Sequence, residues 1–137
     1  MAEVDIWYEG DLTTRARHRE TGVELLTDAP KDNQGKGRNF SPTDLVAVAL
    51  GSCVLTLMGI QANRLKIDIT GTKLSVSKEM AAMPARRIAK IKMLIICPRS
   101  FSPEIVERLK QAAENCPVHN SLHPDVIQEF VYQWGAV

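Results

Sequence analysis

SPTDLVAVALGSCVLTLM, residues Ser41 to Met58, is the stretch that decides the fold. Ser41 can cap a helix, Pro42 suits its first position, and Asp44 stands three residues after the cap. The acidic side chain also suits the positive end of the helix dipole. The pattern predicts a helix that runs to about Arg64. Apolar residues lie on nearly every side of it, as they do in a central core helix. Gly51 and Gly59 each cost about 1 kcal/mol of helix propensity relative to Ala. Close approach by another element, or by a substrate, would account for them. Cys53 sits in the middle of the run. Packing is one reading, since a free cysteine behaves as a small hydrophobe. Chemistry in a dry site is the other.

Working outward, VDIWYEGD (Val4 to Asp11) alternates as a strand does. RARHRETGVELLTD follows, with Thr21 and Gly22 as a turn between extended pieces, so two opening strands in a hairpin are expected. APKDNQGKGRNF, Ala29 to Phe40, is rich in Pro, Asn and Gly and reads as a loop. Beyond the helix, ITGTKLSVSKEM is a strand with Leu74, Val76 and Met80 on one face. MPARR is a turn, and IAKIKMLIICP is a second strand. Ala89, Ile91, Met93, Ile95 and Cys97 share one parity there, and Lys90 and Lys92 the other. Cys97 is therefore expected to be an inert core thiol.

SPEIVERLKQAAENC makes a second helix, capped by Ser102, with Ile105, Leu109, Ala112 and Ala113 on its apolar face. Pro117 interrupts it, because the residue before a proline is pushed out of helical geometry. PVHNSLH is a short turn or helix. QEFVYQWG closes the chain as a strand with Phe130, Tyr132 and Trp134 on one face. The order is strand, strand, helix, strand, strand, helix, short helix, strand. That is an α+β fold with mainly antiparallel pairing, in a single domain over residues 1–137. A helix that is apolar all round needs cover on both sides. One small sheet covers one side, so an intertwined homodimer is expected.

The chain has 137 residues, 45% of them hydrophobic and 24% charged, and a net charge of +1. That balance gives no electrostatic basis for nucleic-acid or membrane binding. The densest basic run, RARHRE from Arg15 to Glu20, is short and reads as a solvated strand face. MAEVDIWYEG is too polar for a signal peptide. The apolar run from Leu45 to Ile60 falls short of the roughly 18–20 residues of a membrane span. Three cysteines make a poor disulfide framework, and with no export signal a reducing cytoplasm is the expected location.

Cys116 lies in ENCPVHNSL, where one helix ends and Pro117 can open the next. An N-cap position would offer it free backbone N–H groups and a helix dipole that favour a thiolate. The plain alternative is a helix-terminal cysteine without chemistry. Cys53 and Cys116 form a candidate dithiol pair, although a spacing of 63 residues gives no distance in space. His119 and His123 are four apart beside Cys116. Pro124 and the shortness of the segment argue against a metal platform, so solvent-facing histidines and no metal are expected. Gly35-Lys36-Gly37 lacks the context of a phosphate loop, and no serine sits in a nucleophile elbow.

SPTDLVAVALGSCVLTLM followed about sixty residues later by ENCPVHNSL resembles the OsmC/Ohr family, the osmotically inducible protein C and organic hydroperoxide resistance proteins. The resemblance covers most of the chain, from the opening hairpin to the last strand. It implies an OsmC-like fold, with antiparallel sheets packed around a central buried helix in an intertwined homodimer that has two sites at the subunit interface. It also implies a thiol-dependent peroxidase that reduces organic hydroperoxides. Cys53 would be the peroxidatic cysteine and Cys116 the resolving one. The sulfenic acid formed at Cys53 would condense with Cys116 to a disulfide. No bound cofactor is implied, only an external dithiol reductant, for which lipoyl groups are common in the family.

Burial raises a thiol pKa, so a cation is needed, and the family takes an arginine from the N-terminal hairpin. Arg15 and Arg17 in TTRARHRE are the candidates, on one strand face with Arg19, and Arg15 is favoured. In the best-known peroxidases of the family a glutamate ten residues before the cysteine holds that arginine. Here the position is Thr43, which forms no ion pair. Its neighbour Asp44 points about 100° away around the helix and serves as a cap. The pattern is that of the OsmC-like branch rather than the dedicated hydroperoxide-resistance branch. A second expectation stands beside the first: a dimer that binds a small ligand or senses oxidation, with little peroxidase turnover.

Overall fold

Alternating side chains fold the N-terminal residues into a three-stranded antiparallel sheet, β1 (Val4–Gly10), β2 (Thr13–His18) and β3 (Glu24–Asp28), in that order. The computed structural model describes residues 1–135. The sequence led to two strands here; there are three. The unrecognised turn is Asp11-Leu12, with φ of 56° and 58°. Both residues are left-handed, as a two-residue hairpin loop requires, and leucine rarely takes that conformation. Val4 and Ile6 stand opposite His18 and Ala16, and Ala16 opposite Leu25, so one face of the sheet is apolar. Trp7, Arg15, Arg17 and Glu24 belong to the other face.

The loop after β3 is tied down by a buried carboxylate. Asp28 is 1% exposed. It accepts hydrogen bonds from Thr13 Oγ1 at 2.7 Å, from the Arg38 backbone N–H at 2.9 Å and from Asn39 Nδ2 at 3.2 Å. The Arg38 guanidinium adds a 3.2 Å ion pair. A buried charge is tolerated only with such a set of donors.

The long helix α1 spans Pro42–Arg64. Ser41 Oγ accepts from the Asp44 N–H at 3.0 Å, and Asp44 Oδ2 accepts from the Ser41 N–H at 2.9 Å. This reciprocal pair satisfies two backbone donors that a helix start leaves open. At 23 residues α1 is long and apolar enough to cross a membrane by length and composition, a test that core helices also pass. The sequence reading measured only its most apolar stretch. Ala47, Leu50, Gly51, Val54, Met58 and Ala62 are buried, which is one stripe of the helix. Val48 and Ile60, away from that stripe, are exposed. A Cβ on Gly51 would stand 3.0 Å from Leu74 Cδ2, whereas one on Gly59 would meet nothing within 4 Å. Close approach therefore explains the first glycine and not the second.

β4 (Lys73–Ala81) and β5 (Arg87–Cys97) pair antiparallel. Two helices follow, α2 (Pro103–Ala113) and α3 (Pro117–Ser121), before β6 (Ile127–Trp134) returns beside β5. That last pairing is parallel, because the chain crosses over through the helices instead of reversing in a hairpin. Three of the four strand pairings are thus antiparallel, and the second sheet has the order β4-β5-β6. Ile91, Met93, Ile95 and Cys97 are buried on one face of β5, as their parity predicts. The described residues gather in two compact units, one up to Val46 and one from Ala47 on.

Candidate active site

The central helix and the α2–α3 junction bring two thiols together. Cys53 is half-buried on the middle turns of α1, one position before the buried Val54. Cys116 is the N-cap of α3, with φ −81° and ψ 149°, and is fully buried. Cys116 is extended because Pro117 follows, and the proline then opens α3 at the position it favours. The Cys116 Sγ accepts a hydrogen bond from the His119 backbone N–H at 3.2 Å. The N-cap predicted from sequence is present.

Its electrostatic consequence differs from the expectation. Burial pushes the Cys116 thiol above its ordinary pKa of 9.0. The His119 N–H opposes that shift, and the Cys53 side chain, as hydrogen-bond partner and as like charge, adds to it. Desolvation outweighs the hydrogen bond at the helix terminus because Cys116 is shut off from solvent. Cys116 is a thiol at neutral pH, in direct interaction with Cys53. No disulfide joins them; all three cysteines are free. Cys97 is 0% exposed on the core face of β5.

The other candidate residues lie in the N-terminal unit. Arg15 stands opposite Trp7 on β1, with its guanidinium 5.1 Å from the indole centroid. Glu9 holds it at 2.6 Å and Glu24 at 3.2 Å. Arg17 is exposed and stands opposite Asp5 and Glu24 in the strand register. Thr43 Oγ1 lies 3.2 Å from Ser41 Oγ, and Asp44 caps α1. The carboxylates that engage Arg15 are therefore cross-strand neighbours, which sequence reading did not single out. Strand register is the signal that would have found them.

His119 was expected to face solvent and does not. It is half-buried, edge-on to Phe130 with centroids 5.7 Å apart, and its Nδ1 pairs with Gln128 Oε1. Gln128 Nε2 in turn donates to the His119 carbonyl at 3.2 Å. No sequence signal links residues 119 and 128. His123 is exposed and lies 3.7 Å from Asp125. Among the described residues no group of three His, Cys, Asp or Glu could hold a metal ion.

A paired thiol in a partly dry setting can be oxidised and can close a disulfide. Comparison with known proteins identifies the family. The family model described as OsmC-like protein matches residues 35–129. A Psychrobacter arcticus protein, provisionally described as an osmotic stress induced and detoxification response protein, is 43% identical over 97% of this chain and 96% of its own, with a TM-score of 0.92. An OsmC-like protein from Mycoplasma pneumoniae is 19% identical over 99% of this chain and 98% of its own, with a TM-score of 0.80. An organic hydroperoxide resistance protein from Legionella pneumophila is 16% identical over 97% of this chain and 96% of its own, with a TM-score of 0.79. The last two show a shared fold. No curated protein matches the chain.

Proposed function

The chain belongs to the OsmC-like protein family, and from that premise we propose that it is a thiol-dependent peroxidase acting on organic hydroperoxides. The observation that carries this reading is the interaction of Cys53 with Cys116, which are far apart in sequence. A thiolate at Cys53 attacks the peroxide oxygen. The O–O bond breaks, the alcohol leaves with a proton, and Cys53 becomes a sulfenic acid. Cys116 then attacks the Cys53 sulfur, the S–O bond breaks, and water leaves as the disulfide forms. An external dithiol, of lipoyl type by the family resemblance, reduces the disulfide and is itself oxidised. By the same resemblance Arg15 is the cation that favours the Cys53 thiolate.

The state of Cys116 suits this order of events. Burial first, and the Cys53 side chain in lesser part, keep Cys116 a thiol. Because the thiolate is the nucleophile, a protonated Cys116 leaves the first attack on peroxide to Cys53.

A homodimer in the cytoplasm is part of the proposal. The exposed apolar face of the first sheet supports it: Ile6 is 67% exposed and Leu25 45%. Faces of that kind are interaction surfaces more often than solvated ones.

One observation favours the second reading, a redox-sensing or small-ligand-binding dimer. Arg15 already has two carboxylate partners in its own sheet, Glu9 and Glu24. Peroxide consumption separates the two. Reduced protein is mixed with one equivalent of cumene hydroperoxide, with hydrogen peroxide in parallel, and free thiols are counted against time. Fast loss of two thiols, quicker with the organic peroxide, and continued turnover with a dithiol support the peroxidase. Disulfide formation without turnover supports the sensor.

A further inference from the structure

We propose that Gln128 and His119 are positioning residues for Cys116 and act on the second thiol step, disulfide closure. The inference rests on the dithiol reading above. Its basis is a closed set of contacts on one residue. The His119 N–H donates to Cys116 Sγ at 3.2 Å, the His119 carbonyl accepts from Gln128 Nε2 at 3.2 Å, and the His119 imidazole Nδ1 pairs with Gln128 Oε1.

The carbonyl fixes which way the Gln128 amide faces, since only the amide nitrogen can donate to it. Oε1 must then face the imidazole. An amide oxygen only accepts, so Nδ1 carries the proton and the neutral ring is the Nδ1–H tautomer. One glutamine thereby grips both the main chain and the side chain of the residue whose N–H holds the Cys116 sulfur.

α3 needs such a grip. It has five residues, and helices that short do not hold themselves. Gln128 is a firm anchor because it stands in register with Ile91, a fully buried residue of β5. The edge contact of His119 with Phe130 ties the same turn to the same strand. Disulfide closure demands a narrow range of sulfur separation and torsion. A Cys116 whose first helical turn can wander meets that geometry less often. The attack of Cys53 on peroxide makes no such demand on α3.

The test measures the two steps separately in single turnovers. Cys53 sulfenic acid is trapped with dimedone, and disulfide is followed by intact mass. In Gln128→Ala, which loses both hydrogen bonds to His119, sulfenic acid forms at the wild-type rate and the disulfide closes about tenfold more slowly. Excess peroxide then drives Cys53 to sulfinic acid. Gln128→Glu keeps an acceptor for Nδ1–H and loses the donor to the carbonyl, so it closes at an intermediate rate and serves if the alanine variant does not fold.

Diamide, which oxidises thiol pairs without peroxide, is run in parallel. If wild-type protein ignores cumene hydroperoxide but diamide closes the disulfide, more slowly in Gln128→Ala, the peroxidase reading falls and the positioning stands. Equal closure rates with both oxidants in wild type and variants overturn the positioning. So does an equal slowing of both steps, which marks a general loss of structure.

Discussion

Each of the three cysteines has its own environment, and these environments assign different fates. Cys97 is sealed on the core face of β5, while Cys53 and Cys116 interact with each other. Peroxide is therefore expected to consume two of the three thiols, and mass mapping should find Cys97 unmodified. Cys53→Ser should abolish peroxide reduction, and Cys116→Ser should allow one turnover followed by overoxidation of Cys53. Full activity in Cys53→Ser would sink the assignment. Asp28 makes a separate prediction. Hydrogen bonds from Thr13 and Arg38 hold its pKa at about 2, below the ordinary 3.8. A group depressed on folding stabilises the native state above its unfolded pKa and loses that contribution as pH falls through the folded value. Denaturant midpoints should thus decline between about pH 4 and pH 2, and the decline should be shallower in Asp28→Asn.

Among the elements, α1 is the one most fully written in local sequence. Its start, cap and end were all legible, because capping boxes and proline at the first turn are local rules. Ser41→Ala removes the acceptor of the Asp44 N–H and should cost about 1 kcal/mol in urea unfolding. A cost near zero would mean that the Asp44 carboxylate alone sustains the cap. The first sheet was less legible. Its turn at Asp11-Leu12 depends on two left-handed residues, neither of them glycine, so nothing punctuates the sequence there. The parallel return of β6 was hidden for another reason. Alternation shows that a strand exists and which face is apolar, but direction depends on the path of the helices before it.

At the scale of the whole molecule, several large apolar side chains among the described residues stand exposed. Val4, Ile6, Tyr8 and Leu25 are exposed in the first sheet, Val23 just before β3, and Val48 and Ile60 on α1. Light scattering at micromolar concentration should therefore give twice the chain mass. Ile6→Lys, which places a charge on the most apolar part of that sheet face, should shift the mass toward that of one chain. A single-chain mass for the unmodified protein would count against the dimer.

Sequence by itself determined what local rules and composition can reach. These are the long capped helix, the alternation that buries one face of β5, the buried place of Cys97, the N-cap at Cys116 and the family to which the paired motifs belong. Only the tertiary structure decided what depends on residues far apart in the chain. Cys53 reaches Cys116 across 63 residues, Glu9 and Glu24 meet Arg15 through strand register, and Gln128 grips His119 from a neighbouring strand. It also reversed the sign of the Cys116 shift, because the sequence shows a helix terminus, whereas burial belongs to the folded chain alone.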